Sequence, residues 1–278
     1  ISDRLSQVSD TARLDAEVLM AHVLGVSRSD LLLRHMRDAV PDGFAALVAR
    51  RLGHEPVAYI TGSQEFFSLP FHVTSAVLIP RGDSETLVEA ALAARPDARR
   101  VLDCGTGSGA LLLAVLNSLP AAEGLGIDRS GDALAIATGN ALALGLGDRA
   151  QMIAANWHQP GWSEELGTFD LVLANPPYVE DAAQLARSVR DHEPAGALFA
   201  GPDGLDDYKV LVPQLPALLS EDGVALVEIG STQADAVAAI AACSGLATRL
   251  HCDLAGRPRV LEMAQRSKIS LGKPDLKD

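Results

Sequence analysis

The sequence predicts an α/β protein whose main part is a doubly wound parallel sheet, preceded by a small all-α unit. After Arg100, strand-like apolar runs alternate with helical patterns, which is typical of a parallel sheet with helices on both faces. The run at residues 171–174 lacks polar alternation, as expected of a parallel strand covered on both faces. With 278 residues, 48% of them hydrophobic, the chain is long enough for one large domain or two smaller ones.

The first part of the chain, residues 1–56, has helical periodicity and predicts a small helical domain. Apolar residues recur at helical spacing up to Gly25, which stops the first helix. Ser29 is expected to cap a second helix, and Pro41 to open a third. We expect these helices at residues 10–24, 29–36 and 41–52.

The remainder divides into a linker, a sheet domain and a tail. Residues 57–80 predict a linker with a β-hairpin, whose strands lie at 64–67 and 71–73 around a turn at 68–70. The sheet domain is expected at residues 81–266, and it begins with a helix that ends near residue 94. A loose polar tail is expected at residues 267–278. We expect strands at 101–103, 124–128, 151–155, 171–174, 223–229, 247–251 and 259–262, and helices at 110–119, 132–144 and 232–242.

Charge and cysteine usage argue against several classes of protein. The net charge is −13, and because residues 1–56 hold seven of the 23 Lys and Arg and eight of the 36 Asp and Glu, the rest carries 16 against 28. An acidic surface repels phosphate backbones, so we expect no nucleic-acid substrate. Three cysteines without a CxxC pattern are typical of a reducing cytoplasm and of a protein without a metal site. The uncharged stretch 104–122 contains three glycines and a proline, so we expect no membrane span there, and the polar start predicts no secretory signal.

A glycine loop follows the first strand of the predicted sheet. Its residues Gly105, Thr106, Gly107, Ser108 and Gly109 allow a ligand to approach the backbone closely. The spacing is G-x-G-x-G, not the G-x-G-x-x-G of dinucleotide folds, and a carboxylate at Asp103 favours a cationic ligand over a pyrophosphate. Asp128 ends the next strand, where an acidic side chain can bind ribose hydroxyls. A ligand with a ribose, a cationic end and no phosphate is S-adenosylmethionine.

The tetrapeptide Asn175-Pro176-Pro177-Tyr178 ends the buried strand at 171–174. Prolines have no N–H and a fixed φ, so the carbonyls around them stay unpaired and defined in direction. Asn175 adds a side-chain acceptor and Tyr178 a flat ring. Because ligands of open α/β sheets bind outside the carboxyl ends of the strands, this motif is suited to hold a planar –NH2 group. The alternative for the motif by itself is a proline turn that ends a core strand.

Two further features leave alternatives open. Trp157 follows the third strand, and it is either a wall for an adenine ring or a core residue. The segments at 193–194 and 201–204 are either an ordered loop over the strand ends or ordinary surface turns.

Together these motifs resemble the HemK/PrmC family of peptide chain release factor glutamine-N5 methyltransferases over about residues 11–262. The shared motifs lie at residues 54–62, 78–85, 102–109, 126–128, 175–178, 192–194, 201–205 and 228–230. Gly82 and Ser84 depart from the usual Pro and Thr of the family, and Asn156 replaces a usual Asp.

The resemblance implies a seven-stranded, Rossmann-like class I methyltransferase domain behind a hairpin linker and a helical domain that docks the release factor. It implies S-adenosylmethionine bound by Gly105, Thr106, Gly107, Ser108, Gly109, Asp128, Trp157 and Asn175. It also implies a substrate glutamine held by Asn175, Pro176, Pro177 and Tyr178.

The expected catalytic residues are Asn175, Pro176 and Tyr178. We hypothesise that Asn175 Oδ1 and the Pro176 carbonyl each accept one N–H of the glutamine amide, while Tyr178 packs on the amide plane. This scheme needs no metal and no general base before transfer. The alternatives are methylation of a ribosomal-protein glutamine, adenine-N6 methylation of DNA, and a non-catalytic adaptor that binds S-adenosylmethionine.

Overall fold

The computed structural model describes residues 2–265. Its helices are α1 (Ser2–Leu5), α2 (Ala12–Leu24), α3 (Arg28–Asp30), α4 (Phe44–Leu52), α5 (Val57–Thr61), α6 (Glu85–Ala94), α7 (Ala110–Ser118), α8 (Gly131–Ala143), α9 (Arg187–Arg190), α10 (Asp206–Leu211), α11 (Leu215–Leu218) and α12 (Ala234–Cys243). A π-helical segment, Leu31–His35, continues α3, and single 3-10 turns lie at Gly82–Ser84, Ala195–Ala197 and Val212–Gln214. The strands are β1 (Ser63–Phe66), β2 (Leu69–His72), β3 (Arg100–Cys104), β4 (Glu123–Asp128), β5 (Ala150–Ala154), β6 (Phe169–Ala174), β7 (Leu219–Glu228), β8 (Leu246–Cys252) and β9 (Pro258–Gln265).

The N-terminal helices pack around an apolar cluster of their own that includes Leu5, Leu19 and Phe44. The end of α2 at Gly25 is confirmed, since this residue is left-handed with φ 65°. The predicted starts of the next two helices are wrong. Ser27, not Ser29, caps α3, because the Ser27 backbone is extended and its side chain accepts from the Asp30 N–H. The third helix begins at Phe44 instead of Pro41, after a left-handed Gly43 with φ 88°.

A buried ion pair joins α2 to α4. Arg51 Nε donates to Asp15 Oδ2 at 2.7 Å, and the two side chains are only 10% and 8% exposed. The remaining guanidinium nitrogens of Arg51 donate to the main-chain carbonyls of Glu55 and Val8. This arrangement satisfies both buried charges, so removing either partner leaves the other without compensation.

The hairpin in the linker has a tighter turn than predicted. β1 and β2 are antiparallel with Phe66 opposite Leu69, so the turn is the pair Phe67 and Ser68, with φ of 51° and 61°. The predicted turn at 68–70 is wrong because Pro70 already belongs to β2. Two left-handed residues suit the twist of a two-residue hairpin, but this turn contains neither Gly nor Asn to signal it. Helix α5 also lies within the predicted linker.

A buried side chain on α8 connects the hairpin to the main domain. Asn140 on α8 accepts from the His72 N–H at 2.8 Å and donates to the His72 carbonyl at 3.0 Å, as a neighbouring strand would. The same Asn140 amide donates to the Ser108 carbonyl at 2.8 Å. A single residue thus connects the hairpin to the glycine loop.

The main domain contains the predicted seven-stranded sheet, in the order β5-β4-β3-β6-β7-β9-β8. All neighbours up to β7 are parallel, and β9 runs antiparallel between β7 and β8. One face is covered by α6, α7 and α8, and the other by α10, α11 and α12, as a doubly wound sheet requires. The chain passes from β3 outward to β5 and returns to β6 beside β3. This reversal opens a crevice at the carboxyl ends of β3 and β6.

The sequence missed α1, α5, α9, α10 and α11, and it started β7 four residues late, at 223 instead of Leu219. Within residues 2–265 no helix combines the length and apolar content needed to cross a bilayer. The predicted tail at 267–278 lies outside the described residues.

We expect Arg51→Ala to destabilise the N-terminal helices by about 3–5 kcal/mol, because Asp15 would remain buried without its partner. Hydrogen exchange of the α2 and α4 amides measures this loss. The control is Arg50→Ala, since the Arg50 side chain is 43% exposed in its ion pair with Glu55 and such pairs contribute about 0–1 kcal/mol. Equal exchange in the two variants would contradict the structural role of the buried pair.

Candidate active site

The glycine loop connects β3 to α7 with a positive φ at each of its three glycines, a conformation that glycine adopts without strain. Gly105 has φ 76°, and the N–H groups of Gly105 and Thr106 both donate to the Ile127 carbonyl, at 2.9 and 2.8 Å. A Cβ on Gly105 would lie 3.0 Å from the Trp157 ring, so the absent side chain leaves room for that ring above the loop.

One cleft, at the carboxyl ends of β3, β4 and β6, collects most of the predicted site residues. Those that line it are Gly105, Thr106, Gly107, Ser108, Asp128, Trp157, Asn175 and Pro177. Gly109, Pro176 and Tyr178 do not line it, and Pro176 is buried. The glycine loop and the Asn175 motif, which are far apart in sequence, therefore face the same space.

Asp128 holds the shape of the cleft floor. Its Oδ2 accepts from the Gly107 N–H at 3.0 Å and its Oδ1 accepts from the Ser130 N–H at 2.9 Å. Each carboxylate oxygen has a further lone pair. Asp128 can therefore accept ligand hydroxyls while it supports the glycine loop.

Asp103 does not face the cleft, so the expectation that its charge meets a cationic ligand there is wrong. The residue is 1% exposed beneath the glycine loop, where Oδ2 accepts from Thr106 Oγ1 at 2.7 Å. Its Oδ1 has no hydrogen-bond partner within the described residues. Burial, only partly offset by the Thr106 hydrogen bond, raises the pKa of Asp103 to about 7.

Trp157 belongs to the cleft wall and is held from two sides. Its Nε1 donates to Asp207 Oδ1 at 3.0 Å, and its main-chain carbonyl accepts from Gln214 Nε2 at 3.1 Å. His158 Nε2 lies 2.9 Å from the same Asp207 oxygen. Asn156 stands where the family usually has Asp. Its side-chain oxygen accepts from the His158 N–H at 3.0 Å in a local turn. Asp207 was missed as a site residue, because only the fold brings α10 against Trp157.

The Asn175 motif lies where β6 ends. Asn175 is half-buried, and its Nδ2 lies 3.5 Å from Ser84 Oγ. Tyr178 Oη donates to Glu228 Oε1 at 3.5 Å. Burial raises the pKa of Tyr178 to about 12, and the negative charge of Glu228 is the second contribution in the same direction. The Tyr178 hydroxyl therefore remains a donor at neutral pH.

Glu228 is a second buried carboxyl, directly behind the motif at the end of β7. It is 2% exposed, and its Oε2 has no hydrogen-bond partner in residues 2–265. Burial raises the pKa of Glu228 to about 7, against the opposing effects of the Ser84 hydroxyl and Arg259. Sequence analysis assigned no role to Ser84 or Glu228, although both lie within motifs shared with the family.

A loop between β6 and β7 covers the open side of the cleft. Glu193 pairs with Arg81 and accepts from the Ile79 N–H at 3.3 Å. Arg129 Nη2 donates to the Gly196 carbonyl at 2.7 Å. Pro194 and Gly196 line the cleft, so this segment is an ordered loop over the strand ends and not an ordinary surface turn.

Comparisons with known proteins agree with this geometry. Residues 1–62 match the model of the PrmC N-terminal domain, and residues 96–245 match a methyltransferase domain. A release factor glutamine methyltransferase of Bradyrhizobium diazoefficiens is 39% identical over 264 residues, covering 91% of this chain and 88% of its own. The chain belongs to the release factor glutamine methyltransferase family.

Two more members of the release factor glutamine methyltransferase family show similar agreement. The protein of Rhodospirillum rubrum is 42% identical, with 92% of this chain and 79% of its own covered. The protein of Caulobacter vibrioides is 39% identical, and the match covers 93% of this chain and 92% of the length of that protein. The chain is therefore a methyltransferase, and its sheet has the class I fold, which uses S-adenosylmethionine. The flat Trp157 wall above Gly105 and the acceptor Asp128 fit that donor.

We expect the contribution of Asp103 to the free energy of unfolding to fall as pH rises from about 4 to about 7, because the folded protein binds the Asp103 proton more tightly than the unfolded chain does. Above pH 7 this contribution no longer changes with pH. Asp103→Asn removes the ionisable group but keeps an acceptor for Thr106, so the stability of the wild type relative to this variant should decline over the same pH range. Urea unfolding at pH 4.5, 6 and 7.5 measures it.

The contribution of Glu228, whose pKa is raised in the same direction, should persist in Asp103→Asn. A stability difference between the wild type and Asp103→Asn that does not change with pH would show that Asp103 is already ionised in the folded protein.

Proposed function

We propose that this protein transfers the methyl group of S-adenosylmethionine to the side-chain amide nitrogen, N5, of the glutamine in the Gly-Gly-Gln motif of peptide chain release factors. Family membership supports the reaction. The observation that carries the proposal in this chain is the shared cleft of the glycine loop, Asp128 and Asn175. A methyl donor on the loop and an amide at Asn175 would lie side by side there.

The residues that would hold the donor are the glycine loop from Gly105 to Gly109, Asp128 and Trp157, with Asn175 at the reacting end. When bound, S-adenosylmethionine supplies an electrophilic methyl group on a positively charged sulfur. Asp128 would accept the ribose hydroxyls, and Trp157 would cover the adenine, its indole kept in place by Asp207. Because a Cβ on Gly107 would meet only the Gly105 carbonyl oxygen, at 4.0 Å, the donor could approach the backbone closely at Gly107.

Asn175 and Pro176 would act on the glutamine amide. An amide nitrogen is a weak nucleophile because its lone pair is delocalised into the carbonyl. Asn175, which lines the cleft, would accept one N–H through Oδ1, and the carbonyl of the adjoining Pro176 would accept the other, which requires the bound substrate to reach past the cleft lining. Together they would orient the nitrogen toward the methyl group and stabilise the positive charge that develops on it. The Asn175 Nδ2 contact with Ser84 supports this assignment, since it leaves Oδ1 for the substrate. Tyr178 would pack on the amide plane, and the final proton would leave to water.

The helical unit at residues 1–56 would dock the release factor, with residues 57–80 as its linker and residues 81–266 as the catalytic domain. Support comes from apolar side chains on its surface, where Leu33, Met36 and Val40 are 79%, 60% and 63% exposed. His192 Nε2 lies 3.1 Å from the Gly53 carbonyl, so the unit also contacts the loop over the cleft. The cysteines are unpaired, and from this we propose the cytoplasm as the compartment.

The deciding experiment measures methyl transfer from labelled S-adenosylmethionine to a purified release factor, a ribosomal protein, DNA and a short Gly-Gly-Gln peptide. We expect label on the glutamine of the release factor. Docking by the helical unit predicts a higher kcat/KM for the intact factor than for the peptide. Label on the ribosomal protein or DNA alone would overturn the substrate assignment. No transfer to any of them would indicate an adaptor.

We expect Asp128→Asn to weaken the binding of S-adenosylmethionine by about 10- to 150-fold, which corresponds to about 1.5–3 kcal/mol for hydrogen bonds to a charged group. Isothermal calorimetry measures the dissociation constant. Asp132→Asn, on the exposed first turn of α8, is the control and should bind normally. An unchanged constant for Asp128→Asn would refute its role in the cofactor site.

Asn175→Ala should lower turnover by about 10²- to 10³-fold, the usual effect of removing one preorganised group that acts in the transition state. The affinity for S-adenosylmethionine should change little, because the glycine loop and Asp128 remain. Asn175→Asp retains an acceptor and should keep part of the activity. Single-turnover rates and cofactor titrations distinguish these effects. Full activity of Asn175→Ala would show that the motif only ends the strand and has no role in catalysis.

A further inference from the structure

We infer that Asp207 is a positioning residue for the cofactor, because it fixes the indole ring of Trp157 in one orientation before the cofactor binds. The inference deepens the proposed function and rests on it for the identity of the ligand, S-adenosylmethionine. Asp207 acts through Trp157 and needs no contact of its own with the ligand. Its effect falls on the affinity for the adenosyl group.

One carboxylate oxygen of Asp207 accepts from two consecutive residues. Trp157 Nε1 donates to Asp207 Oδ1 at 3.0 Å, and His158 Nε2 lies 2.9 Å from the same oxygen. Since a carboxylate oxygen can only accept, the His158 nitrogen is also a donor. Asp207 lies in the first turn of α10 and is only 8% exposed. A buried carboxylate that receives two donors has a defined position, so it is a rigid support for the indole.

The opposite edge of the indole lies over the glycine loop. A Cβ on Gly105 would be 3.0 Å from Trp157 Cη2 and 3.3 Å from Cζ3. These two carbons are at the far end of the ring system from Nε1. The ring of Trp157 is therefore limited at one edge by the backbone of Gly105 and held at the other by Asp207. It spans the cleft wall from the glycine loop to α10.

The main chain of Trp157 is held separately, by Gln214 in the 3-10 turn that follows α10. Gln214 Nε2 donates to the Trp157 carbonyl at 3.1 Å and to the Val210 carbonyl at 2.7 Å. Gln214 Oε1 accepts from Trp162 Nε1 at 2.5 Å. Removal of the Asp207 carboxyl therefore frees the indole ring but leaves its backbone attached. This separation allows the orientation of the ring to be tested without detaching the segment.

A fixed ring affects affinity because ordering a side chain on binding costs free energy. An indole without its Nε1 partner would sample several orientations in the free protein, and adenine stacking would have to select one of them. With Asp207 in place, the flat face of Trp157 is already presented to the cleft, which both residues line. Asp207 thus preorganises the wall that the adenine would meet.

The first test measures binding of S-adenosylhomocysteine by isothermal calorimetry. We expect Asp207→Ala to weaken binding by about 2- to 12-fold, which corresponds to about 0.5–1.5 kcal/mol for ordering one side chain. Asp207→Asn keeps an acceptor for the indole and should restore most of the affinity. The control is Asp206→Ala, since the adjacent Asp206 side chain is 54% exposed and pairs with Lys209. Wild-type affinity in Asp207→Ala would overturn the inference.

A double-mutant cycle shows whether Asp207 acts through the indole. Trp157→Phe keeps an aromatic ring but removes the N–H that Asp207 accepts. In this background Asp207→Ala should cause no further loss of affinity, because no indole remains to be oriented. The same loss in both backgrounds would overturn the inference, since Asp207 would then act on the ligand or on the fold without Trp157.

The last test observes the ring in the free protein. The chain has two tryptophans, and the ¹⁵N indole signal of Trp157 is assigned by its loss in Trp157→Phe. We expect this signal to shift in Asp207→Ala, while the signal of Trp162 stays in place and shows that the fold is retained. A Trp157 signal that does not shift would refute the hydrogen bond. None of these measurements involves the release factor, so a failure of methyl transfer would refute the proposed function alone.

Discussion

The site depends on the parallel register of four neighbouring strands. Cys104 lies beside Ile127 and Ala174, and Ala174 lies beside Val227. The residues immediately after this row are Gly105, Asp128, Asn175 and Glu228. Since hydrogen-bonded strands keep their register, all four leave the sheet at one level and at adjacent places. A shift of one residue in β6 would turn the apolar side chains of that strand to the opposite face and move the Asn175 motif out of the cleft.

Burial of polar groups beside that row gives the site its electrostatic character. Within the described residues, the buried side-chain atoms without a hydrogen-bond partner belong to Asp103, Glu228 and Arg259. Such atoms reduce stability, because water would have bonded them in the unfolded chain. Asp103 lies under the glycine loop and Glu228 behind the Asn175 motif, so the destabilising groups are concentrated where the chemistry is proposed. Local violations of good packing are expected at functional sites.

Segments outside the sheet hold the cleft through a few long-range contacts. Asn140 connects the hairpin to the glycine loop, and Glu193 connects the covering loop to the segment before α6. His192 extends this connection to the N-terminal helices through the Gly53 carbonyl. The cover, the linker and the helical unit are thus coupled to the strand ends by side chains, in addition to chain connectivity.

The sequence alone determined the α/β class, the seven strands, the glycine loop and the Asn175 motif. It could do so because these features are local: an apolar run, a glycine spacing or a pair of prolines is read within about ten residues. Tertiary structure alone decided which way Asp103 faces, that Asp207 holds Trp157, and that Ser84 and Glu228 lie behind Asn175. Ser84 and Asn175 are 91 residues apart, and no periodicity relates them. Their contact exists because α6 packs on the sheet face at β6 and β7, which places the turn before α6 beside Asn175. Only tertiary packing brings these polar groups together and sets their burial.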